Sequence, residues 1–248
     1  SAFRMDPDVP LVVPEVNPQA ILKHKGIIAN PNCSTIIMVM ALKPIYDLAK
    51  IKRVIVSTYQ AVSGAGKEGI DELDAQVRDH SEGREMTANI LPSASAEKHY
   101  PIAFNLIPQI DVFCDNLYTK EEMKMVNETK KIMEDYEMRI TATTIRVPVY
   151  RSHSESVNIE LEKEVDLGAM REALAKFPGV TVQDDPSKQE YPMPLYTSEK
   201  DDVYVGRLRR DESCEKSYNM WVVGDQIRKG AALNTLQIAE TMIKNGWI

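Results

Sequence analysis

The chain has little of what several common protein tasks require. Three cysteines occur in 248 residues, Cys33, Cys114 and Cys214. They are widely separated, with no CxxC pair and no His/Cys cluster at zinc spacing, which excludes a disulfide framework and leaves no metal site to expect. The longest apolar run, Ile36 to Leu42, is far too short to span a membrane. No basic tract occurs and the formal net charge is −7, so neither nucleic acid nor a membrane is expected as a partner. No signal-like segment opens the chain, and a reducing, cytoplasmic location fits. There is no internal repeat and no low-complexity segment. At 43% hydrophobic and 27% charged residues, what is present has the make-up of a soluble globular protein with one large domain or two small ones.

The most informative stretch is Asn30-Pro31-Asn32-Cys33-Ser34-Thr35, set between a short apolar run (Gly26–Ala29) and a long one (Ile36–Leu42). This pattern predicts a strand entering a buried helix through a tight turn, with Cys33 at the helix start. The first N–H groups of a helix lack intrahelical partners and carry the positive end of its dipole. A cysteine there is expected to have a stabilised thiolate, the nucleophilic form. The competing reading is a buried structural cysteine, which most free cysteines are.

Along the chain, Leu11–Val13 and Ile27–Ala29 read as short strands. A helix apolar nearly all round follows from Ser34 to Lys50. Arg53–Tyr59 is β-branched and bounded by polar residues, a strand. A glycine-rich loop, Ser63–Gly66, leads into a helix carrying Ile70, Leu73 and Val77. Residues 81–118, with prolines at 92, 101 and 108, read as loops with one or two short strands. Thr119 caps a helix to Asp135, with Glu122 completing a capping box. Strands follow at Ile140–Tyr150 and Ser156–Glu162, then a helix from Asp166 to Phe177. Further strands are expected at Val180–Val182, Val203–Leu208 and Met220–Val223. A closing helix, Lys229–Asn245, ends at Gly246 and returns to the first elements.

Gly64-Ala65-Gly66-Lys67-Glu68-Gly69 satisfies G-x-G-x-x-G, but the following helix runs into Ser81-Glu82-Gly83-Arg84-Glu85 rather than a strand ending in an acid. It is therefore not a dinucleotide fingerprint, and its bare backbone is better suited to approaching a ligand or the cysteine. Arg146 and His153, seven residues apart, would face opposite sides of a regular strand. They share a pocket only if Tyr150–Ser152 bends the chain. Alone, His153 is more simply a surface or core histidine, but with Cys33 it can form a proton-exchanging pair. Glu121 and Lys124 fit a solvated i,i+3 pair.

Together these motifs resemble the bacterial-type aspartate-semialdehyde dehydrogenases. The resemblance runs along the whole chain, through residues 10–17, 30–35, 57–66 and 99–105, then Ile145–Val149, His153–Val157 and Lys229–Ala232. It implies an α/β protein: an α+β catalytic and dimerisation domain at 34–213, with residues 1–33 and 214–248 as the remainder of a Rossmann-like NADP-binding domain. It implies reversible, NADP-dependent conversion of L-aspartyl 4-phosphate to L-aspartate 4-semialdehyde through a cysteine acyl-thioester. That step serves lysine (through diaminopimelate), threonine and methionine biosynthesis.

By the same resemblance, Cys33 is the nucleophile and His153 the acid/base. Gln60, Glu121 and Arg146 hold the substrate, and Arg4, Asn32 and Lys124 bind phosphate. Ser63, Gly64 and Gln226 contact the nicotinamide end of the cofactor, Gln226 standing where many relatives carry asparagine. A homodimer or homotetramer is implied. Family members begin with a strand–glycine-turn–helix unit that is not found in this chain. The pyrophosphate and adenine seat is therefore expected to be absent, and the chain alone to be inactive. The alternatives are N-acetyl-glutamyl-phosphate reductase, against which Gln60 and the Glu121/Lys124 helix argue, and a non-catalytic dimerisation fragment.

Overall fold

Six strands form one mixed sheet, and a helix apolar on every side lies across its inner face. The computed structural model describes residues 2–247; Ser1 and Ile248, the tips of the two segments assigned to the cofactor domain, lie outside the described residues. Helix α1 spans Cys33–Leu48 and leads into β1, Ile51–Gln60. Residues Ser34 to Leu42 are fully buried, which explains the absence of a polar stripe. Truncating one of these side chains to alanine would cost about 2–5 kcal/mol.

A single 3₁₀ turn at Val62–Ala65 precedes α2, Lys67–Ser81. Then come α3 (Lys120–Met133), β2 (Arg139–Arg146), β3 (His153–Leu161), α4 (Leu167–Lys176), β4 (Val180–Val182) and the short α5 (Pro194–Thr197). The chain ends with β5 (Val203–Arg210), β6 (Ser217–Gly224), a π turn at Arg228–Ala232 and α6 (Leu233–Asn245). The strand order is β2-β1-β3-β6-β5-β4. β1 runs parallel to β2 and antiparallel to β3. From Val54 onward the even-numbered residues of β1, and the odd-numbered residues of β3, are buried, as the period of two requires.

The caps form as the sequence predicts. Thr119 Oγ1 accepts from the Glu122 N–H at 3.3 Å while the Glu122 carboxylate accepts from the Thr119 N–H at 2.7 Å. Asp166 Oδ2 accepts from Gly168 and Ala169, and Gly246 ends α6 in the left-handed region at φ +64°. α6 packs back on the start of the chain, where Val12, Ala20 and Ile21 meet Ile238.

Several expected elements are corrected. Leu11–Val13 and Ile27–Ala29 form only one parallel bridge, Leu11 to Ala29, because Pro10 and Pro14 remove neighbouring N–H donors. Residues 82–118 hold isolated bridges, Ile107 to Arg146 and Phe113 to Thr119, rather than strands. Prolines and positive φ at Phe104, Asp111 and Leu117 break extended runs there. The strand expected to reach Tyr150 stops at Arg146, since Pro148 cannot continue a ladder. Apart from these corrections, β6 is paired on one side with β3 and on the other with β5. β6 is thus part of the same sheet as β1–β3.

Candidate active site

The ends of β1, β2 and β6 and the start of β3 meet at one edge of the sheet, beneath the N-terminus of α1. Gln60 and Arg146 are register partners at the ends of β1 and β2. His153 opens β3 opposite Gly224. The bend that the seven-residue spacing demanded lies at Ser152, whose φ of +71° is left-handed, a conformation costing a non-glycine residue about 1–3 kcal/mol. It is held by the Gln226 side chain, whose Oε1 accepts from the Ser152 N–H at 2.9 Å, and by Thr197 Oγ1, 2.8 Å from Ser152 Oγ. The chain therefore switches from one side of β1 to the other, bringing Arg146 and His153 to the same edge.

Ala61 joins these two side chains. Its N–H donates to His153 Nδ1 at 3.1 Å, and its carbonyl accepts from Arg146 Nη1 at 2.7 Å. Because Nδ1 accepts, the ring proton sits on Nε2. Nε2 is buried with no protein partner, so it is a donor open to a ligand. Burial first, and then the Arg146 charge, hold His153 well below its ordinary pKa, so the ring is neutral. Arg146, 2% exposed, also donates from Nε to the Pro92 carbonyl at 3.1 Å. Burial pulls it down to about 10, and it stays charged at neutral pH. A Cβ on Gly64 would fall 2.7 Å from Arg146 Nη1 and 3.3 Å from His153 Cε1, so only glycine lets this loop approach so closely.

Cys33 is the first residue of α1, after the N-cap Asn32, whose Oδ1 accepts from the Thr35 N–H at 3.2 Å. The π turn passes against it: a Cβ on Gly230 would lie 3.0 Å from Cys33 Cβ. The surroundings act against the stabilised thiolate that helix position favours. Burial, followed by the negative charge of Glu121, pushes the thiol up to about 12. Ser34 and Arg146 act in the opposite direction but do not outweigh burial.

Helix α3 forms the other wall. Glu121 Oε1 accepts from Asn32 Nδ2 at 2.9 Å and Gln60 Nε2 at 3.3 Å, and Oε2 accepts from Lys124 Nζ at 3.2 Å. Lys124 also donates to Asp111 Oδ2 at 2.9 Å. Burial acts to lower Lys124, yet Glu121 and Asp111 hold it above its ordinary pKa. The pair is thus part of a buried network rather than a solvated face. Two residues the sequence reading missed continue this side of α3. Glu128 accepts from Arg4 Nη1 at 3.3 Å and from the Asn32 N–H at 2.6 Å. Lys131 donates to the carbonyls of Arg4, Asp6 and Val9. Positions 121, 124, 128 and 131 share one helical face, and that spacing was the available signal.

Of the nicotinamide candidates, Gln226 spends its carboxamide on the protein, accepting from Ser152 and donating to Ser63 Oγ. Ser63 keeps its own O–H to donate. All the site residues named from the sequence therefore line this edge or are hydrogen-bonded into it.

The mixed sheet brings a cysteine at a helix start beside a histidine and a buried arginine, and comparison with known proteins gives the class. Residues 42–229 match the family described as semialdehyde dehydrogenase, dimerisation domain. The chain is 56% identical over 250 residues to an aspartate-semialdehyde dehydrogenase of Aquifex aeolicus, covering 100% of this chain and 72% of that one. The crystal structure of aspartate semialdehyde dehydrogenase II complexed with ASA from Vibrio cholerae superimposes with a TM-score of 0.91 at 47% identity, over 98% of this chain and 70% of that one. An aspartate semialdehyde dehydrogenase with NADP from Candida albicans gives 0.73 at 25% identity, over 100% and 70%. The chain belongs to the aspartate-semialdehyde dehydrogenase family.

Proposed function

We propose that the site interconverts L-aspartyl 4-phosphate and L-aspartate 4-semialdehyde through an acyl-thioester on Cys33, with NADP as the redox partner, in the biosynthesis of lysine, threonine and methionine. The observation that carries this reading is the Ala61 peptide, which ties His153 and Arg146 into one unit at the edge where α1 presents Cys33. The ligand and cofactor named for the Vibrio and Candida relatives support the choice of substrate and NADP.

Cys33 Sγ attacks the acyl carbon of aspartyl phosphate, and the thiol proton passes to the departing phosphate, which leaves as hydrogen phosphate. The C–O bond to phosphate breaks, leaving a thioester on the sulfur and inorganic phosphate beside Arg4, Asn32 and Lys124. A thioester suits the role because it remains a good acyl donor, so the step runs both ways. NADP, when bound, supplies or accepts the hydride. The residues fit its nicotinamide end: Gly64 has no side chain where a ring would lie against His153, and Ser63 offers its O–H to a carboxamide. Gln226 then acts mainly by orienting Ser63.

His153 Nε2–H donates to the substrate oxygen as negative charge develops on it, which a neutral ring in a buried site does effectively. Arg146 has its Nη2 group and one Nη1 proton left for the substrate carboxylate, a planar fork matched to that group. Glu121 faces the substrate amine, and Gln60 orients the acyl group beside Cys33. Ile55 lies open on the outer sheet face, where Tyr59 stacks on Trp221 at 5.5 Å. A second copy would cover this face in a homodimer, consistent with the description of the matched family.

The test is trapping. Incubation with aspartyl phosphate should leave an acyl adduct on Cys33, detected by mass spectrometry and absent from Cys33→Ala. An adduct on Cys114 or Cys214 instead would end the assignment.

A further inference from the structure

Arg146 takes its orientation from two main-chain carbonyls, Ala61 and Pro92. Ala61 belongs to the loop directly after β1, whereas Pro92 lies in the irregular segment between α2 and α3, which has no ladder to hold it. Leu91 is fully buried and its carbonyl accepts from the Tyr100 N–H at 3.0 Å, and the side-chain hydrogen bonds to Asn89–Leu91 come from one residue of α2. Glu72 Oε2 accepts from the N–H groups of Asn89 at 2.6 Å and Ile90 at 2.8 Å, and Oε1 accepts from the Leu91 N–H at 3.0 Å. These are the residues directly before Pro92. Glu72 is itself buried. A buried carboxylate taking N–H groups on both oxygens makes charge-assisted bonds, roughly twice as strong as neutral ones. A second α2 residue, Gln76, holds different parts of the same segment: Oε1 accepts from Ile102 and Ala103, and Nε2 donates to the Thr87 carbonyl. Gln76 makes no hydrogen bond to residues 89–92.

The geometry points to Glu72 as a positioning residue for substrate binding: by fixing Asn89–Leu91 it sets the Pro92 carbonyl, which aims the Arg146 fork at the substrate carboxylate. This rests on the assignment of Arg146 to that carboxylate. The chain of contacts runs from α2 through main chain to the end of β2, and no residue in it before Arg146 reaches the ligand. A small shift of Pro92 would turn the guanidinium plane, and bidentate recognition is sensitive to that plane. An amide at position 72 would keep one accepting oxygen but point an NH₂ at main-chain donors, leaving buried N–H groups unpaired.

The test is calorimetric titration of L-aspartate 4-semialdehyde into the full chain carrying Cys33→Ala, which removes covalent capture by the thiol. In that background Glu72→Gln should weaken binding ~10-fold, while Gln76→Met should cost no more than ~2-fold. In a further Arg146→Lys background, the effect of Glu72→Gln should fall below ~2-fold, because residues acting through one another are not additive. Equal losses from Glu72→Gln and Gln76→Met, or an undiminished Glu72 effect beside Arg146→Lys, would overturn the proposal in favour of general support of the segment. If Arg146→Lys alone leaves affinity unchanged, the carboxylate assignment fails, and the proposal with it. Where Glu72→Gln is not recovered folded, Glu72→Asp keeps the charge, shortens the reach and should give the same ordering of losses.

Discussion

The two walls of the cleft hold their polar groups by opposite means. On the sheet wall, Arg146 and His153 are oriented by main-chain groups of Ala61 and Pro92. A buried acid there, Glu155, has neither oxygen paired and is pushed well above its ordinary pKa by burial. On the α3 wall, Asn32 and Lys124 are oriented by carboxylates of Glu121, Glu128 and Asp111, and Arg4 by Glu128 together with the Asn30 carbonyl. Peptide groups orient a cation without cancelling its charge, and the hydrogen bonds of Arg146 go to carbonyls rather than to a carboxylate, although Glu121 lies close enough to act on its charge. Carboxylates neutralise the cations they hold, and an anion arriving on the α3 wall competes with them. One wall is built to retain a ligand, the other to let an anion leave. That division matches a reaction in which the aspartyl carboxylate stays bound while phosphate departs.

The largest expected effect is on the sheet wall. In an enzyme that also carries the complete cofactor domain, His153→Ala should lower kcat by ~10²–10⁴ with a smaller change in KM, the usual scale for a lost proton donor at the reacting centre. A rate within a few-fold of the parent would remove His153 from the chemistry and leave the walls distinguished only by charge. Next comes Arg146→Lys, which keeps the charge and loses the fork; it should weaken substrate binding ~10–100-fold, measured by titration. If it instead leaves substrate affinity unchanged and raises the KM for phosphate, the two walls exchange roles.

Much of this was legible in advance, and the gaps share a cause. Cys33 at a helix start, the Thr119/Glu122 box and the strands of the sheet follow from local patterns of capping and alternation. The shared pocket of Arg146 and His153 was foreseen only as a condition, a bend at 150–152, because the sequence does not show that β3 crosses to the far side of β1. Glu128, Lys131 and Glu72 were missed since their partners lie far away in sequence, and several of those partners are main-chain groups, which carry no residue identity to read. The influences opposing the thiolate were hidden for a related reason. Helix position is local, but the burial and the Glu121 charge that raise Cys33 are tertiary.

The α3 wall gives a smaller effect. Lys124→Met should raise the KM for inorganic phosphate ~10-fold in the reverse direction, with less than ~2-fold change in affinity for aspartate semialdehyde. The phosphate effect should shrink as salt is added, because a partly exposed charge is screened while the buried Arg146 is not. Equal loss of both ligands would show that the walls act as one unit.

The smallest expected effect concerns the thiol between the walls. With its pKa at about 12, Cys33 is mostly protonated at neutral pH, and the reactive thiolate grows about tenfold per pH unit until the pKa is reached. Alkylation of Cys33 by iodoacetamide, followed by peptide mass spectrometry, should therefore climb steadily between pH 7 and 10 with no plateau. Glu121→Gln removes a negative charge that opposes the thiolate, so the pKa falls and the rate at any pH in this range rises. Burial is the larger cause and persists in that variant, which limits the gain to roughly three- to fivefold, less than one pKa unit. A plateau below pH 9 in the parent would mean that the helix N-terminus, and not burial, governs the sulfur. In that case the sheet wall would supply a preformed nucleophile as well as an oriented arginine, and the carboxylates of α3 would act on phosphate alone.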